Sequence, residues 1–239
     1  MFVSKSPELR HLVFTNGHPA LAPISVPMPV TWRGAAYPAC ARGLKRGFDL
    51  AVALAALLLL TPLLVMIAAV IRLESAGPVF FRQERIGLRG RRFRMWKFRT
   101  MYHRADRGPG LRQATRHDPR VTRVGAFLRR TSLDEIPQFL NVLLGDMSAV
   151  GPRPHAPGTC AGGRPFEHIT HRYDDRHCVK PGMTGLAQVR GWRGETDTEE
   201  KLLRRLESDL EYIQDWSLLF DLQIVGRTIW AVLGARNAY

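Results

Sequence analysis

Asp134 and Glu135 are adjacent carboxylates in a basic chain, which carries 35 Lys and Arg residues against 21 Asp and Glu residues. They lie in the stretch RTSLDEIPQFLNVLLGDMSAVGPRP, residues 130–154, ahead of an apolar run and a Gly-Pro-Arg-Pro turn. The spacing Ser132-Leu-Asp-Glu135 is typical of a capping box, in which serine and glutamate satisfy free amides at the start of a helix. That structural role explains the spacing without any chemistry.

Pro137 favours a later start for this helix. If Ser132 is the cap, the proline falls at the fifth helical position, where a backbone amide is needed. If the helix starts nearer Asp134, the proline falls among the first amides, which have no partner within the helix. The two acids then lie at an exposed helix end.

Basic residues are expected around the same helix end, namely Arg129, Arg130 and, through the rigid 151–154 turn, Arg153. Helix N-termini and guanidinium groups both bind anions. Carboxylates there would repel a phosphate unless a divalent cation bridges them to a diphosphate, or unless one carboxylate is a nucleophile that takes up a phosphoryl group. The pattern therefore predicts phosphate chemistry of one of these two kinds.

Residues 50–71 contain no charged side chain. At about 1.5 Å per residue this run is long enough to cross a bilayer as a helix, so it predicts contact with a membrane. Lys45 and Arg46 precede the run, and several arginines follow it: Arg72, Arg82, Arg85, Arg89, Arg91, Arg92 and Arg94. A spanning helix would place one basic flank outside, whereas a re-entrant hairpin keeps both inside.

Thr61-Pro62 at the middle of the run is a candidate apex for such a hairpin. Proline removes one helix hydrogen bond, and the threonine hydroxyl can satisfy a freed carbonyl. An ordinary kinked transmembrane helix is the alternative, because prolines are common in membrane helices. Asp49 lies within one turn of Lys45 and Arg46, which predicts either a local ion pair or an anchor for the helix end at the lipid headgroups.

The rest of the sequence predicts strands and helices. Aromatics mixed with arginines around Gly87 and Gly90 predict a two-stranded ribbon within 78–101. Helical spacing predicts two helices that start near Val121 and Leu133. A turn at 180–185 predicts a strand at 186–189. Near the end, one amphipathic helix carries Leu202, Leu203, Leu206, Leu210, Ile213 and Trp216, and 218–233 fits either an interfacial helix or a core helix.

Composition limits the broad class. The length of 239 residues suits one catalytic-size domain, and the net charge of +14 favours a phosphate-bearing partner. Cys40, Cys160 and Cys178 show no disulfide or zinc spacing. Residues 1–42 are rich in proline without an apolar core, which predicts a disordered leader rather than a signal peptide. A membrane-anchored module that binds nucleic acid or anionic lipid is a second class that the charge allows.

From Gly43 to the C-terminus the chain resembles the bacterial sugar transferases, monotopic polyprenyl-phosphate hexose-1-phosphate transferases. Eight segments carry the resemblance together: Lys45-Arg-Gly-Phe-Asp49, the apolar run with Thr61-Pro62, Phe81-Arg-Gln-Glu-Arg-Ile-Gly87, Lys97-Phe-Arg-Thr-Met101, Ser132-Leu-Asp-Glu135, Gly145-Asp-Met-Ser148, Val150-Gly-Pro-Arg-Pro154 and Lys180-Pro-Gly-Met-Thr-Gly-Leu-Ala-Gln188. Residues 191–198 are similar to the branch that transfers glucose-1-phosphate or galactose-1-phosphate to undecaprenyl phosphate.

The resemblance implies an α/β, mostly helical fold. Its parts are the leader, a re-entrant membrane helix at 43–75 held by Lys45, Arg46, Asp49, Thr61 and Pro62, and a small catalytic domain at 76–239 with interfacial amphipathic helices. It places the protein at the cytoplasmic face of the bacterial inner membrane and leaves formation of a homo-oligomer open. Its partners are then a UDP-hexose, undecaprenyl phosphate and the membrane, with no nucleic acid.

The resemblance also implies roles for individual residues. Asp134 attacks the β-phosphate of the UDP-sugar and forms a phosphosugar-aspartyl intermediate, with release of UMP. Glu135 matches the position associated with Mg²⁺. Basic positions at the site correspond to Lys97, Arg99, Arg129 and Arg153. Larger relatives carry several transmembrane helices before this part, and residues 156–168 match the family poorly, so no site is assigned there.

Overall fold

The computed structural model describes residues 14–15, 18–19, 39–103, 118–192, 194 and 196–233. Within them the fold is α/β and mostly helical, as predicted. Most of the expected leader at 1–42 lies outside the described residues. They include from it two paired two-residue strands, β1 (Phe14–Thr15) and β2 (His18–Pro19), and the start of the first helix.

Helix α1 spans Ala39–Glu74 and contains the whole uncharged run. Pro62 lies inside it without ending it. Pro62 has no amide hydrogen to donate to the carbonyl of Leu58. The Thr61 hydroxyl donates to the carbonyl of the preceding residue, Leu57, at 2.6 Å. By length and composition, Ala41–Glu74 is the one segment of the described chain that could cross a membrane.

Both arms of α1 pack on the same domain. In the first arm, Ala53 is fully buried in a cluster with Met95 and Val142. In the second arm, Ile67 and Ile71 join a cluster with buried side chains Phe98 and Leu128. The middle of the helix keeps large apolar side chains exposed: Leu54, Leu58, Leu59, Val65 and Met66. The helix therefore rests on the protein at its two ends and exposes apolar surface between them.

The first arm is fixed by buried charges. Lys45 Nζ lies 2.8 Å from Asp221 Oδ2 and 3.3 Å from Asp49 Oδ1, and it donates to the Val150 carbonyl at 3.1 Å. Asp49 accepts from Ser148 Oγ at 2.8 Å. The predicted local ion pair of Lys45 and Asp49 thus forms, and both side chains are buried inside the domain.

Arg46 also contacts the domain. It donates to the carbonyls of Val142 and Leu143, at 2.6 and 2.8 Å. These carbonyls lie in the last turn of the helix Gln138–Leu144, where the negative end of the helix dipole attracts a cation.

The predicted ribbon is confirmed. Strands β3 (Phe80–Ile86) and β4 (Arg92–Phe98) pair antiparallel, from Phe80 opposite Phe98 to Ile86 opposite Arg92. A 3-10 turn at Leu88–Gly90 joins them, with positive φ at Arg89 and Gly90.

The two predicted helices after the ribbon form with later starts. Helix α2 spans Arg123–Thr131, and Val121 forms an antiparallel bridge with Met101 instead of joining it. A 3-10 turn covers Leu133–Glu135, and helix α3 spans Gln138–Leu144.

The second half of the domain contains short strands and two long helices. Strand β5 (Ser148–Val150) pairs in parallel with β8 (Gly182–Thr184), and the hairpin β6 (Cys160–Ala161) with β7 (Arg164–Pro165) leads into α4 (Phe166–Ile169). A 3-10 helix follows at Tyr173–Cys178. The expected strand at 186–189 is wrong: Leu186–Val189 forms helix α5, because Gly182–Thr184 just before it makes the parallel pairing with β5.

Helices α6 (Glu199–Gln214) and α7 (Leu218–Leu233) complete the domain. The predicted apolar face of α6 is buried at Leu202, Leu206, Leu210 and Ile213. Helix α7 buries Asp221 and Ile224 and exposes a group of large apolar side chains: Leu219, Leu222, Ile229 and Trp230. It therefore contributes to the core with one face and presents an apolar face outward.

We expect the Lys45→Met variant to lose about 3–5 kcal/mol of unfolding free energy, because Asp49 and Asp221 would remain buried without their cation. Urea titration of the protein in detergent measures this loss. The matched control is Arg92→Met, which breaks an exposed pair with Glu84 and should cost at most about 1 kcal/mol. Equal losses in the two variants would contradict a structural role for the Lys45 network.

Candidate active site

The junction between α2 and α3 presents the two acids. Helix α2 ends with Ser132 in the left-handed conformation, at φ 60°, and the chain then makes one 3-10 turn. The Ser132 side chain caps no amide of that turn, and Pro137 precedes the first residue of α3. The capping-box interpretation is therefore wrong, while the later helix start indicated by Pro137 is confirmed. The conformation instead directs Asp134 and Glu135 toward β4 and the 151–154 turn.

Glu135 is bound by two cations. Lys97 Nζ, from β4, lies 2.9 Å from Glu135 Oε1. Arg153 reaches both carboxylate oxygens, with Nη1 3.1 Å from Oε2 and Nη2 close to Oε1. All three side chains are about one-quarter exposed or less. The predicted convergence of Lys97 and Arg153 on the acidic pair is therefore seen in the geometry.

Asp134 is buried, at 7% exposure, yet its carboxyl group makes no hydrogen bond or ion pair with any described residue. Burial raises its pKa to about 6, Lys97 opposes this shift, and the neighbouring Glu135 charge adds to it. Arg129 and Arg153 also favour the charged form. The group is thus a carboxylate at neutral pH whose oxygens make no hydrogen bond or ion pair with the described residues.

Arg129 lies beside this pair on α2. Its Nε donates to Thr100 Oγ1 at 2.8 Å, which leaves the rest of the guanidinium near Asp134. The close approach of α2 to the end of β4 requires glycine at position 125, since a Cβ there would lie 2.1 Å from the Thr100 carbonyl oxygen. Small size at position 125 therefore helps to place Arg129.

Arg99 lies apart from the other predicted site residues. Its guanidinium donates to the carbonyls of Ala76 and Ser75, at 2.8 and 2.7 Å, beyond the C-terminal end of α1. Alternation within a strand would put Lys97 and Arg99 on the same face, but β4 ends at Phe98 and Arg99 lies beyond it, so the strand geometry does not orient its side chain. The position of Arg99 therefore does not match the phosphate-binding role expected for it. Its side chain stabilises the chain just after α1.

Sequence reasoning missed Arg85 on β3. Burial and repulsion by Arg153 lower its pKa to about 10, while Glu135 opposes the shift, so this guanidinium lies close to the same charges. The pairing of β3 with β4 could have identified Arg85. Phe81 is opposite Lys97, and alternation then puts Arg85 on the same face as Lys97.

The 151–154 turn is held by β8 and the segment before it. Gly151 N donates to the Thr184 carbonyl and Gly182 N donates to the Pro152 carbonyl, each at 2.9 Å. Two prolines restrict the same turn. The backbone that carries Arg153 is therefore fixed from both sides.

The carboxylates suit only one mode of binding a divalent cation. The described residues contain no cluster of three or more His, Cys, Asp or Glu side chains that could hold a metal ion alone. Mg²⁺ is commonly held by one or two carboxylates together with substrate phosphates and water. Asp134 and Glu135 fit that shared mode, with substrate phosphate as the other source of ligands.

The α/β domain thus combines one helix long and apolar enough to cross a membrane with a pair of adjacent acids held among basic side chains. The model of the bacterial sugar transferase family matches residues 40–235, and the chain belongs to this family.

Three relatives illustrate the similarity. The UDP-glucose:undecaprenyl-phosphate glucose-1-phosphate transferase of Escherichia coli (strain K12) is 52% identical over 83% of this chain and 42% of its own length. The Xanthomonas campestris pv. campestris protein of the same name is 50% identical, over 80% and 39%. The exopolysaccharide production protein PSS of Rhizobium leguminosarum bv. phaseoli is 48% identical, over 78% and 93%. The chain thus spans less than half of the first two relatives.

We expect a hydrophobic carbodiimide, which reacts with protonated carboxyl groups, to label Asp134 more strongly as the pH falls through about 6. The raised pKa keeps the buried group protonated at a pH where an ordinary aspartate is charged. Mass spectrometry of the peptide that contains Asp134 measures the titration, and Asp134→Asn is the control for label position. A midpoint near the ordinary value of about 4 would contradict the burial described here.

Proposed function

We propose that this protein transfers a hexose-1-phosphate from a UDP-hexose to undecaprenyl phosphate, giving undecaprenyl-diphosphate-hexose and UMP. The observation that carries the proposal is the buried Asp134 carboxyl, which has no hydrogen-bond or ion-pair partner among the described residues, beside a glutamate held by Lys97 and Arg153. Family membership and the names of the E. coli and Xanthomonas relatives support the same reaction.

Asp134 acts as the nucleophile in the first step. One of its oxygens forms a bond to the β-phosphorus of the UDP-sugar, and the bond from that phosphorus to the bridging oxygen breaks. UMP leaves with the bonding electrons, and Asp134 carries the sugar phosphate. In the second step a phosphate oxygen of undecaprenyl phosphate attacks the same phosphorus and the aspartyl bond breaks, which restores the carboxylate.

The cations at the site offset charge on the phosphates. Lys97, Arg129 and Arg153 supply three positive charges around Asp134, in a position to stabilise the in-line displacement. A pKa of about 6 leaves Asp134 ionised at neutral pH, as a nucleophile must be.

Mg²⁺ is the cofactor we propose, with Glu135 as its protein ligand. It would neutralise charge on the diphosphate and so weaken the bond to the leaving UMP. Glu135 would hold the ion, and Lys97 and Arg153, which contact Glu135 in this structure, would supply positive charge to the phosphate oxygens.

We also propose that α1 is a re-entrant membrane helix and that the domain lies on the cytoplasmic face of the inner membrane. Both arms of α1 pack on one basic domain, so both flanks belong on one side of the bilayer. Thr61 and Pro62 lie in the exposed middle that would enter the lipid. The apolar face of α7, with Trp230 at 76% exposure, suits contact with the interface.

The donor we favour is UDP-glucose or UDP-galactose, and the pathway is the start of exopolysaccharide assembly. The names of the E. coli and Rhizobium relatives support glucose and exopolysaccharide production, respectively. A basic module that binds nucleic acid or anionic lipid, the other class that the charge allows, needs no unpartnered carboxylate inside its basic surface, and no described feature favours it.

We expect Asp134→Asn to lower UMP release from a UDP-hexose, in detergent with Mg²⁺ and undecaprenyl phosphate, by at least about 10³-fold, because the amide cannot form the aspartyl bond. A panel of UDP-sugars run with the native protein identifies the donor. The exposed Asp215→Asn is the matched control and should keep full activity. Full turnover by Asp134→Asn would exclude the covalent mechanism.

We expect single cysteines at positions 43 and 75, introduced after the native cysteines are replaced by serine, to resist a membrane-impermeant maleimide in intact cells. Both should react after permeabilisation, because a re-entrant helix keeps both flanks cytoplasmic. Reaction of one site but not the other from the periplasm would show a spanning helix.

A further inference from the structure

A buried ion pair lies directly behind the turn that carries Arg153. Arg176, in the 3-10 helix Tyr173–Cys178, has Nη2 2.8 Å from Asp209 Oδ2 on α6, and each side chain is only 2% exposed. The same nitrogen donates to the backbone carbonyl of Arg153 at 2.6 Å. Nη1 donates to the Tyr173 hydroxyl at 2.9 Å. One guanidinium therefore joins α6, the 3-10 helix and the active-site turn.

The contacts continue to the residue on the other side of Pro154. The Tyr173 hydroxyl lies 2.9 Å from His155 Nδ1, and the His155 carbonyl accepts from the Ile86 amide at the end of β3, at 3.1 Å. Arg176 and Tyr173 thus hold both neighbours of Pro154. Backbone pairing with β8 fixes the start of the turn, and this side-chain network fixes its end.

Burying the Arg176–Asp209 ion pair in the core costs free energy. Moving two charges out of water costs several kcal/mol per ion before their attraction is counted, and apolar replacements of buried ion pairs are often neutral or stabilising. Neighbouring charges add to the cost, because Arg153 and Arg176 both repel the guanidinium of Arg205, whose pKa burial lowers to about 10. Stability alone is a weak reason for this pair, and its bond to Arg153 gives it a positional role.

We propose that Arg176, held by Asp209, is a positioning residue for the transfer reaction. It fixes the Arg153 backbone so that the Arg153 guanidinium reaches both oxygens of Glu135 beside Asp134. The inference rests on the proposed function for its kinetic readout, and it does not require Arg176 to touch substrate.

The Arg176→Lys variant tests this role. Lysine keeps the charge near Asp209 but has no planar fork that can bind Asp209, the Tyr173 hydroxyl and the Arg153 carbonyl together. We expect kcat for UMP release to fall about 100-fold, as a small misplacement of a charge-stabilising group can produce. KM for the UDP-hexose should change less than about threefold. The control is Arg190→Lys. Arg190 forms an exposed ion pair with Glu211, which lies on α6 as Asp209 does, and this variant should change kcat less than about twofold.

A double-mutant cycle separates positioning from general loss of structure. If Arg176 acts through Arg153, Arg176→Lys should lower the residual rate of Arg153→Ala by less than about twofold, because the group it positions is already absent. Tyr173→Phe, a milder change, should lower kcat in the native background and show the same loss of effect in Arg153→Ala. Losses that multiply in both double variants, or a native rate in Arg176→Lys, would overturn the proposal.

A substrate-free measurement distinguishes failure of this inference from failure of the proposed function. Phenylglyoxal modifies accessible guanidinium groups, and peptide mass mapping reports each arginine separately. We expect Arg153 to react faster in Arg176→Lys and in Tyr173→Phe than in the native protein, because its contact with Glu135 is loosened, while the exposed Arg92 reacts equally in all three. If the native protein releases no UMP, faster labelling still supports positioning. Unchanged labelling of Arg153 in both variants refutes it.

Discussion

The shared hold of Lys97 and Arg153 on Glu135 is the interaction on which the active site depends. Lys97 comes from the ribbon and Arg153 from the 151–154 turn, and their attraction to one carboxylate brings both segments against the junction of α2 and α3. Two buried acids side by side would be unfavourable without these cations. Because Glu135 takes both contacts, the Asp134 oxygens have no ion-pair partner in the part of the chain that the structure describes, and the same cations limit the rise of its pKa on burial to about 6.

Helix α1 and the turn that carries Arg153 are both attached to strand β5. The Val150 carbonyl accepts from Lys45 of α1 and from the Tyr212 hydroxyl of α6, and the next residue starts the turn that carries Arg153. The helix is thus attached to the backbone at the edge of the site rather than through a flexible link. In our account, this attachment sets the height of Asp134 relative to the phosphate of a lipid in the bilayer.

Sequence patterns predicted what depends on local order. The uncharged run, the ribbon around Gly87 and the effect of Pro137 on the helix start are short-range features, and the structure confirms them. Contacts between distant segments were not predictable in the same way. The local ion pair of Lys45 and Asp49 was predicted and forms, but its burial by Ser148 and Asp221, far along the chain, was not predictable from spacing. Arg99 was expected to bind phosphate, and contacts with Ser75 and Ala76 hold it against the end of α1. The resemblance supplied the chemistry of the acidic pair, which spacing alone left open.

The most direct test of the account is to incubate the protein with UDP-glucose and Mg²⁺ but without lipid phosphate, and then to analyse its peptides by mass spectrometry. The account predicts the added mass of one hexose phosphate on the peptide that contains Asp134, and its loss when undecaprenyl phosphate is supplied. A protein that releases UMP once the lipid is present, yet never carries that mass on Asp134, would contradict the covalent role at its centre.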